Sequence, residues 1–205
     1  MIQLKEADDI MKKITFAILL TTIMMLSSCS VQDETGKPET TEITAESAVP
    51  ENTSGLTSPN HFNAATLSGV GYSDAYFDDH DVTIINIWST TCPPCIAEMP
   101  ELTEFMHGLP DNVQLITWCL DGDYNTERAE SIIEDAGYDG VTLTAGDGDL
   151  QTLLYELMYT PTTLFVDCDG NIIGDALIGS PRNFAGAYTQ MTNNALKAIG
   201  KEEMP

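Results

Sequence analysis

Residues 82–100 read VTIINIWSTTCPPCIAEMP. The run from Val82 to Trp88 is apolar and rich in β-branched residues, which predicts a buried β-strand. Cys92 and Cys95 follow it, and beyond them apolar residues recur at helical spacing, with Pro100 expected to kink the helix. These apolar residues are Ile96, Met99, Leu102, Phe105 and Met106. The stretch therefore predicts a strand that leads through a cysteine pair into a helix.

The sequence beyond this stretch alternates between predicted strands and helices. Strands are expected at 113–119, 141–144, 162–167 and 171–178, the last two forming a hairpin, and a further hairpin at 62–81. Helices are expected at 129–136, 150–157 and 184–195. The order predicts an α/β fold in which a mixed central sheet is flanked by helices on both faces.

The chain of 205 residues carries 8 Lys and Arg against 32 Asp and Glu, a formal net charge of −24. Such a charge repels phosphate backbones and excludes nucleic-acid binding. From position 30 to 60 the chain is rich in Thr, Ser, Glu and Pro with few large apolar residues. We expect residues 29–60 to form a disordered acidic tether and residues 61–205 to form the folded domain.

The N-terminus has the pattern of an export signal. Lys12 and Lys13 precede an apolar run at 14–26, which as a helix covers only about 20 Å of a hydrocarbon core of roughly 30 Å. Leu26-Ser27-Ser28-Cys29 resembles the lipobox of bacterial lipoproteins, which implies cleavage after residue 28 and lipidation of Cys29. Residues 1–28 are thus predicted to be a signal peptide, of which 1–10 are a start-site extension if Met11 initiates the chain.

A single Cys-x-x-Cys pair supports two kinds of site. A zinc site needs two more ligands, but the three histidines and the other cysteines of the folded part stand singly in the sequence. A redox pair needs only these two sulfurs, one helical turn apart, where a disulfide closes without moving the backbone. The position at a strand exit and a helix start favours a redox-active disulfide between Cys92 and Cys95.

The two cysteines are expected to divide the chemistry. Free amides and the helix dipole favour a thiolate at Cys92, which attacks, while the more buried Cys95 resolves the mixed disulfide. Because Pro93 and Pro94 lack an N–H, we expect a less depressed Cys92 pKa and a more reducing couple. Glu98 shares the helix face of Cys95, so it is a candidate base for the Cys95 proton, although a solvated surface glutamate remains the alternative.

Two motifs together resemble the TlpA/ResA-like thioredoxin family. They are Trp88-Ser-Thr-Thr-Cys-Pro-Pro-Cys-Ile-Ala-Glu-Met-Pro-Glu-Leu102 and Tyr159-Thr-Pro-Thr-Thr-Leu-Phe-Val-Asp167, the latter followed by Gly170. The resemblance covers most of residues 62–199. It implies a thioredoxin-like fold with an inserted strand–helix unit and thiol–disulfide exchange outside the cytoplasm.

The resemblance also assigns roles to individual residues. It implies that Pro161 is cis and lies against the cysteine pair, leaving the backbone near Thr160 free to pair with a substrate strand. Glu98 becomes the active-site acid, and Asn86 takes the place of a buried Asp. Thr91 departs from the family, which usually has Trp there, so a flat contact surface beside Cys92 is lost. Trp88 is either near the active site or a plain core residue.

Together, the lipobox and the resemblance to the TlpA/ResA-like family imply a protein that is lipid-anchored on the outer face of a bacterial cell membrane and needs no cofactor. Its implied partners are exported proteins with disulfides and a CcdA-like membrane thiol-electron carrier that reduces the Cys92–Cys95 disulfide. Of the remaining thiols, Cys119 is expected to be a core thiol toward the active-site edge and Cys168 an incidental turn residue at the opposite edge, too distant to pair.

Two other functions remain open on the sequence alone. A thioredoxin-fold peroxidase would want a Pro upstream of a single attacking cysteine, where this chain has Ile85. A binding lipoprotein would use the Cys-x-x-Cys disulfide only as a structural link. The leading interpretation is a membrane-tethered disulfide reductase.

Overall fold

A computed structural model describes residues 52–205 of the chain. The predicted signal peptide, the lipidation at Cys29 and the tether up to position 51 lie outside the described residues. Within residues 52–205, no helix combines the length and the apolar character that crossing a membrane requires.

The centre of the domain is a seven-stranded mixed sheet in the order β2-β1-β5-β4-β3-β6-β7. The strands are β1 (Asn63–Thr66), β2 (Gly71–Ser73), β3 (Val82–Trp88), β4 (Val113–Cys119), β5 (Thr142–Gly146), β6 (Thr162–Val166) and β7 (Leu177–Ile178). Strands β3, β4 and β5 run parallel, whereas β6 is antiparallel to β3 and β1 is antiparallel to β5. The mixed sheet and the extra hairpin, β1–β2, confirm the predicted fold class.

Four α-helices cover the sheet. They are α1 (Pro93–His107), α2 (Thr126–Ala136), α3 (Asp149–Glu156) and α4 (Phe184–Ala198). Pro100 lies inside α1, as the sequence predicted. Gly137 ends α2 in the left-handed conformation at φ 67°, which glycine adopts without a Cβ penalty. Helix bounds therefore follow the apolar spacing and the stop signals of the sequence closely.

The core consists of two layers, one on each face of the sheet. Alternate residues of β3 divide between them, because successive side chains of a strand point to opposite faces. Ile84 and Trp88 pack with α1, α2 and α4, whereas Ile85 and Ile87 pack with α3 and the β1–β2 hairpin. Every residue of β3 is buried. This central strand fixes the position of the cysteine pair that follows it.

The domain begins earlier than position 61, so the tether boundary at Asn60 needs correction. The Thr57 backbone N–H donates to Glu156 Oε2 at 2.6 Å, and Asn60 Nδ2 donates to the Asp169 carbonyl at 2.8 Å. The Thr53 N–H likewise donates to the Gly174 carbonyl at 3.1 Å. Composition missed these contacts because they join the segment to residues about a hundred positions away in the sequence.

The second arm of the predicted 162–178 hairpin is also shorter than expected. Only Leu177–Ile178 form a ladder with β6, and Ile172 makes a single bridge to Val166. Gly174 has φ 66°, a left-handed conformation that interrupts an extended strand. The chain between the turn and β7 is therefore irregular, and it lies beside residues 52–53.

Candidate active site

The cysteine pair lies where β3 passes into α1. Cys92 is the N-cap residue of α1, and Cys95 lies in its first turn. The two sulfurs form a disulfide with a Cα–Cα separation of 5.3 Å. Cys95 is completely buried, whereas Cys92 keeps 7% of its surface exposed. The residue that is predicted to attack, Cys92, is thus the less buried of the two.

Pro93 and Pro94 occupy the first two positions of α1, so the first backbone N–H available to the cap belongs to Cys95. That N–H donates to Cys92 Sγ at 3.3 Å. A helix start normally offers N–H groups from its second and third positions to the cap side chain. Here one of these two donors is missing, which supplies a structural basis for a weakly stabilised Cys92 thiolate.

The segment before β6 closes over the same sulfur. The peptide bond between Thr160 and Pro161 is cis, and the Thr160 carbonyl oxygen lies 3.5 Å from Cys92 Sγ. The Pro161 carbonyl accepts a hydrogen bond from the Gly179 N–H at 2.8 Å, which ties this turn to the end of β7. The structure thus brings Thr160 and Pro161 to the redox pair.

A buried polar network lies behind Cys95. Asn86 Nδ2 is 3.0 Å from Glu98 Oε1, 3.1 Å from Thr163 Oγ1 and 3.1 Å from the Tyr188 hydroxyl. The Thr163 and Tyr188 hydroxyls are 2.8 Å apart. The predicted pair Asn86 and Glu98 is therefore in direct contact, and the network gains two members, Thr163 and Tyr188, that sequence reasoning had not placed in the site.

The carboxyl group of Glu98 is in an unusual environment. Glu98 is 3% exposed, and its Oε2 has no hydrogen-bond partner within the part of the chain that the structure describes. Burial raises the pKa of Glu98 above its ordinary value, and the neighbouring Ser180 hydroxyl and the hydrogen bond from Asn86 only partly offset this rise. A solvated surface glutamate is excluded by this burial. A buried carboxyl group with a raised pKa is a stronger base once it is ionised, as the acceptor of a thiol proton must be.

Asp121 is a residue of the site that the sequence patterns did not single out. Its carboxylate accepts hydrogen bonds from the Thr90 N–H at 2.8 Å and the Thr90 hydroxyl at 2.6 Å. Asn125 Nδ2 donates to it at 3.0 Å, and Cys119 Sγ lies 3.4 Å away. Burial raises the pKa of Asp121, but these hydrogen bonds outweigh it and leave the pKa below its ordinary value. Asp121 anchors the loop that precedes Cys92.

The remaining predicted residues lie at different depths. Trp88 is fully buried in the core layer that also contains both cysteines of the pair, and Thr91 is exposed on the loop. Cys119 is a buried free thiol whose pKa burial raises to about 12, so it is protonated at neutral pH. Cys168 is exposed and free, in the turn after β6. Cys119 and Cys168 therefore do not pair.

A Cys-x-x-Cys disulfide at a helix start, beside a cis-proline turn on a mixed sheet, defines a thioredoxin-like protein with a thiol–disulfide centre. No family model matches the chain. Sporulation thiol-disulfide oxidoreductase A of Bacillus subtilis is 37% identical over 54 residues, which are 26% of this chain and 31% of that protein. The match thus spans about a third of that relative's length.

Solved structures extend the likeness over most of the domain. StoA of Bacillus subtilis superimposes with a TM-score of 0.53 at 25% identity, covering 65% of this chain and 97% of that one. A secreted Mycobacterium tuberculosis disulfide oxidoreductase homologous to Escherichia coli DsbE gives a TM-score of 0.51 at 20% identity, covering 68% of this chain and 97% of that one, which shows the fold alone. These structures show a thioredoxin-like fold, and the chain is similar to thioredoxin-fold thiol–disulfide oxidoreductases, as its two motifs indicated.

Proposed function

We propose that the protein is a tethered reductase of disulfides in exported proteins. The observation that carries this proposal is the asymmetry of the pair. Cys92 keeps some exposed surface beside the Thr160 carbonyl, whereas Cys95 is fully buried on the helix that carries Glu98. A structural disulfide needs no such asymmetry and no buried carboxyl behind it.

In the proposed reaction the Cys92 thiolate attacks one sulfur of a substrate disulfide. The substrate S–S bond breaks, its other sulfur leaves as a thiolate and takes a proton, and a Cys92–substrate mixed disulfide forms. Glu98 accepts the Cys95 proton, and the Cys95 thiolate then attacks Cys92 Sγ and releases the second substrate thiol. Two electrons have passed from the dithiol to the substrate, and the Cys92–Cys95 disulfide seen in the structure is the product.

The cycle closes when an external dithiol reduces this disulfide. We assign that step to a CcdA-like membrane thiol-electron carrier, because the proposed location is outside the cytoplasm. The location rests on the basic and apolar N-terminal pattern and on Cys29 as the lipidated residue of the mature protein. The acidic chain would then stand on the outer face of the bacterial membrane, held by residues that follow Cys29.

Trapping the mixed disulfide tests the proposal in cells. Cys95→Ala removes the resolving thiol, so exported proteins should accumulate as disulfide adducts of Cys92 that disappear on reduction. Cys92→Ala is the matched control and should trap nothing. A Cys95→Ala protein that is exported but carries no adduct would contradict the proposed function.

Redox titration separates the reductase from its alternatives. We expect a potential between about −300 mV, below which structural disulfides resist glutathione, and about −180 mV, the value of protein disulfide isomerase. A lower potential indicates a structural disulfide, and a higher one indicates an oxidase.

A further inference from the structure

An exposed apolar patch includes Tyr159, the residue before Thr160, whose carbonyl oxygen lies beside Cys92 Sγ. It consists of Met158, Tyr159 and Ile178, whose side chains are 78%, 66% and 63% exposed. Single exposed apolar side chains are common, but these three line the same cavity. The patch is therefore a concave apolar surface.

The cavity has a volume of about 630 Å³. Leu56, Leu157 and Ala176 contribute to its lining and pack against the core layer beneath, so its base is fixed. The volume lies within the range of about 300–1,000 Å³ that is typical of ligand sites. It is large enough for one or two side chains of a bound segment.

The cavity is linked to the active site through Tyr159. Tyr159 lines it and directly precedes Thr160, whose carbonyl oxygen is 3.5 Å from Cys92 Sγ. Beyond it, β7 is the last strand of the sheet, so one of its edges is open to pairing. An extended segment advances about 3.3 Å per residue, so a substrate cysteine at Cys92 places a side chain two residues away near Tyr159.

Two carboxylates give the cavity its charge. Glu156 and Asp175 line it, and both accept hydrogen bonds from Thr side chains of the 52–60 segment. Within residues 52–205 the ion pairs are Lys201–Asp81 and His107–Asp139, so neither cavity carboxylate has a cationic partner there. The complementary occupant is apolar and basic. A second copy of this acidic chain, or an anionic membrane, would bring like charges together.

We propose that this cavity selects substrates by an apolar side chain and an adjacent basic side chain close to the cysteine that Cys92 attacks. The proposal rests on the proposed function and names the class of substrate segment. The apolar side chain enters between Tyr159 and Ile178, and the basic group faces Glu156 and Asp175.

The test uses heptapeptides whose single cysteine is disulfide-bonded to thionitrobenzoate, which absorbs when Cys92 displaces it. The peptides KFSCSFK, EFSCSFE and KSSCSSK are compared with the reduced protein. We expect KFSCSFK to react about tenfold faster than KSSCSSK, since apolar pockets discriminate on that order. We expect it to react about fivefold faster than EFSCSFE, the effect of a partly screened ion pair.

Two double variants distinguish the effect of the cavity carboxylates on the lysine preference from the effect of the overall charge of the protein. Glu156→Gln with Asp175→Asn should reduce the lysine preference below about twofold, by the same ion-pair scale. Glu130→Gln with Glu134→Gln removes two exposed charges from α2, on the other face of the sheet, and should keep the preference. Equal rates for the lysine and glutamate peptides, or a preference that survives the cavity variant, would overturn the proposal.

The proposed reductase function is tested separately from the substrate preference. Ellman's disulfide, which carries no peptide, requires only a reactive Cys92 and the resolving Cys95. A reduced protein that leaves this small disulfide and every peptide unreacted contradicts the reductase itself. A protein that consumes the small disulfide but reacts with all three peptides at one rate contradicts only the substrate selection.

Discussion

Two carboxyl groups flank the cysteine pair, and their surroundings are opposite. Glu98, behind Cys95, is almost fully buried, and its Oε2 has no partner within residues 52–205. Asp121, ahead of Cys92, is only half-buried and accepts hydrogen bonds from Thr90 and Asn125. The pKa of Glu98 is raised by burial, whereas that of Asp121 is lowered because its hydrogen bonds outweigh its burial.

This contrast separates a proton-transfer role from a structural one. The raised pKa of Glu98 means that its contribution to folding is present below the ordinary carboxyl pKa and is lost as pH rises through the raised value. The lowered pKa of Asp121 means that its contribution is present above the ordinary value and is lost as pH falls through the lowered one. Ionised Asp121 therefore stabilises the site, whereas ionised Glu98 costs stability and is the group that can accept a proton.

The largest expected effect is on the step that Glu98 is proposed to assist. In Glu98→Gln the Cys95 proton has no acceptor, so we expect resolution to slow by about 100-fold, the lower range of general-base catalysis. Stopped-flow reaction with Ellman's disulfide shows this directly, because Cys92 releases the first thionitrobenzoate and Cys95 releases the second. Only the second phase should slow, and its rise with pH as Glu98 deprotonates should disappear.

Glu104→Gln is the matched control, because Glu104 is an exposed glutamate on the same helix. Both phases should remain at the wild-type rate in that variant. If Glu98→Gln instead slows the first phase or leaves the second unchanged, Glu98 is not the base for Cys95.

The next effect concerns Asp121 and is one of stability. Asp121→Asn replaces a charged acceptor of several hydrogen bonds by an amide that presents N–H groups to other donors, so we expect a loss of about 2 kcal/mol at pH 7. Urea unfolding measures it, and the loss should shrink as pH falls through the lowered pKa of Asp121. Asp123→Asn, two residues further along in an exposed position, should change stability little. Equal losses in the two variants would show that Asp121 is an ordinary loop residue.

The fold was predictable where local patterns decide it. The strands at 82–88 and 113–119 were predicted with the bounds that the structure shows, because both are apolar runs buried on both faces. The predicted strand at 171–178 was wrong over most of its length. Gly174 adopts a left-handed conformation there, and the Asp175 carboxylate accepts a hydrogen bond from the Thr53 hydroxyl. That partner is 122 positions away, so no local signal announces it.

The site residues divide in the same way, into those that a local motif predicts and those that depend on a distant partner. The cysteine pair and Glu98 were found because they lie within one short motif. Asp121 was missed because its partner, Thr90, is 31 positions away in the sequence. A signal did exist: β3 and β4 are parallel with Trp88 opposite Cys119, so residues two positions beyond each strand meet at the same edge. Combining strand direction with polar residues at strand ends would have placed Asp121 beside the active-site loop.

The smallest expected effect concerns the N–H donors at the start of α1, which directly follows Cys92. Pro94→Ala restores an N–H at the second helical position, which reaches the cap sulfur as the Cys95 N–H does at 3.3 Å. One added hydrogen bond of about 1 kcal/mol stabilises the thiolate and makes the potential about 20 mV more oxidising. Glutathione titration measures the potential, and iodoacetamide alkylation against pH should show a lower Cys92 pKa. Pro93→Ala is the control, because an N–H at the first position points past the cap, and an equal shift in both variants would contradict the missing-donor explanation.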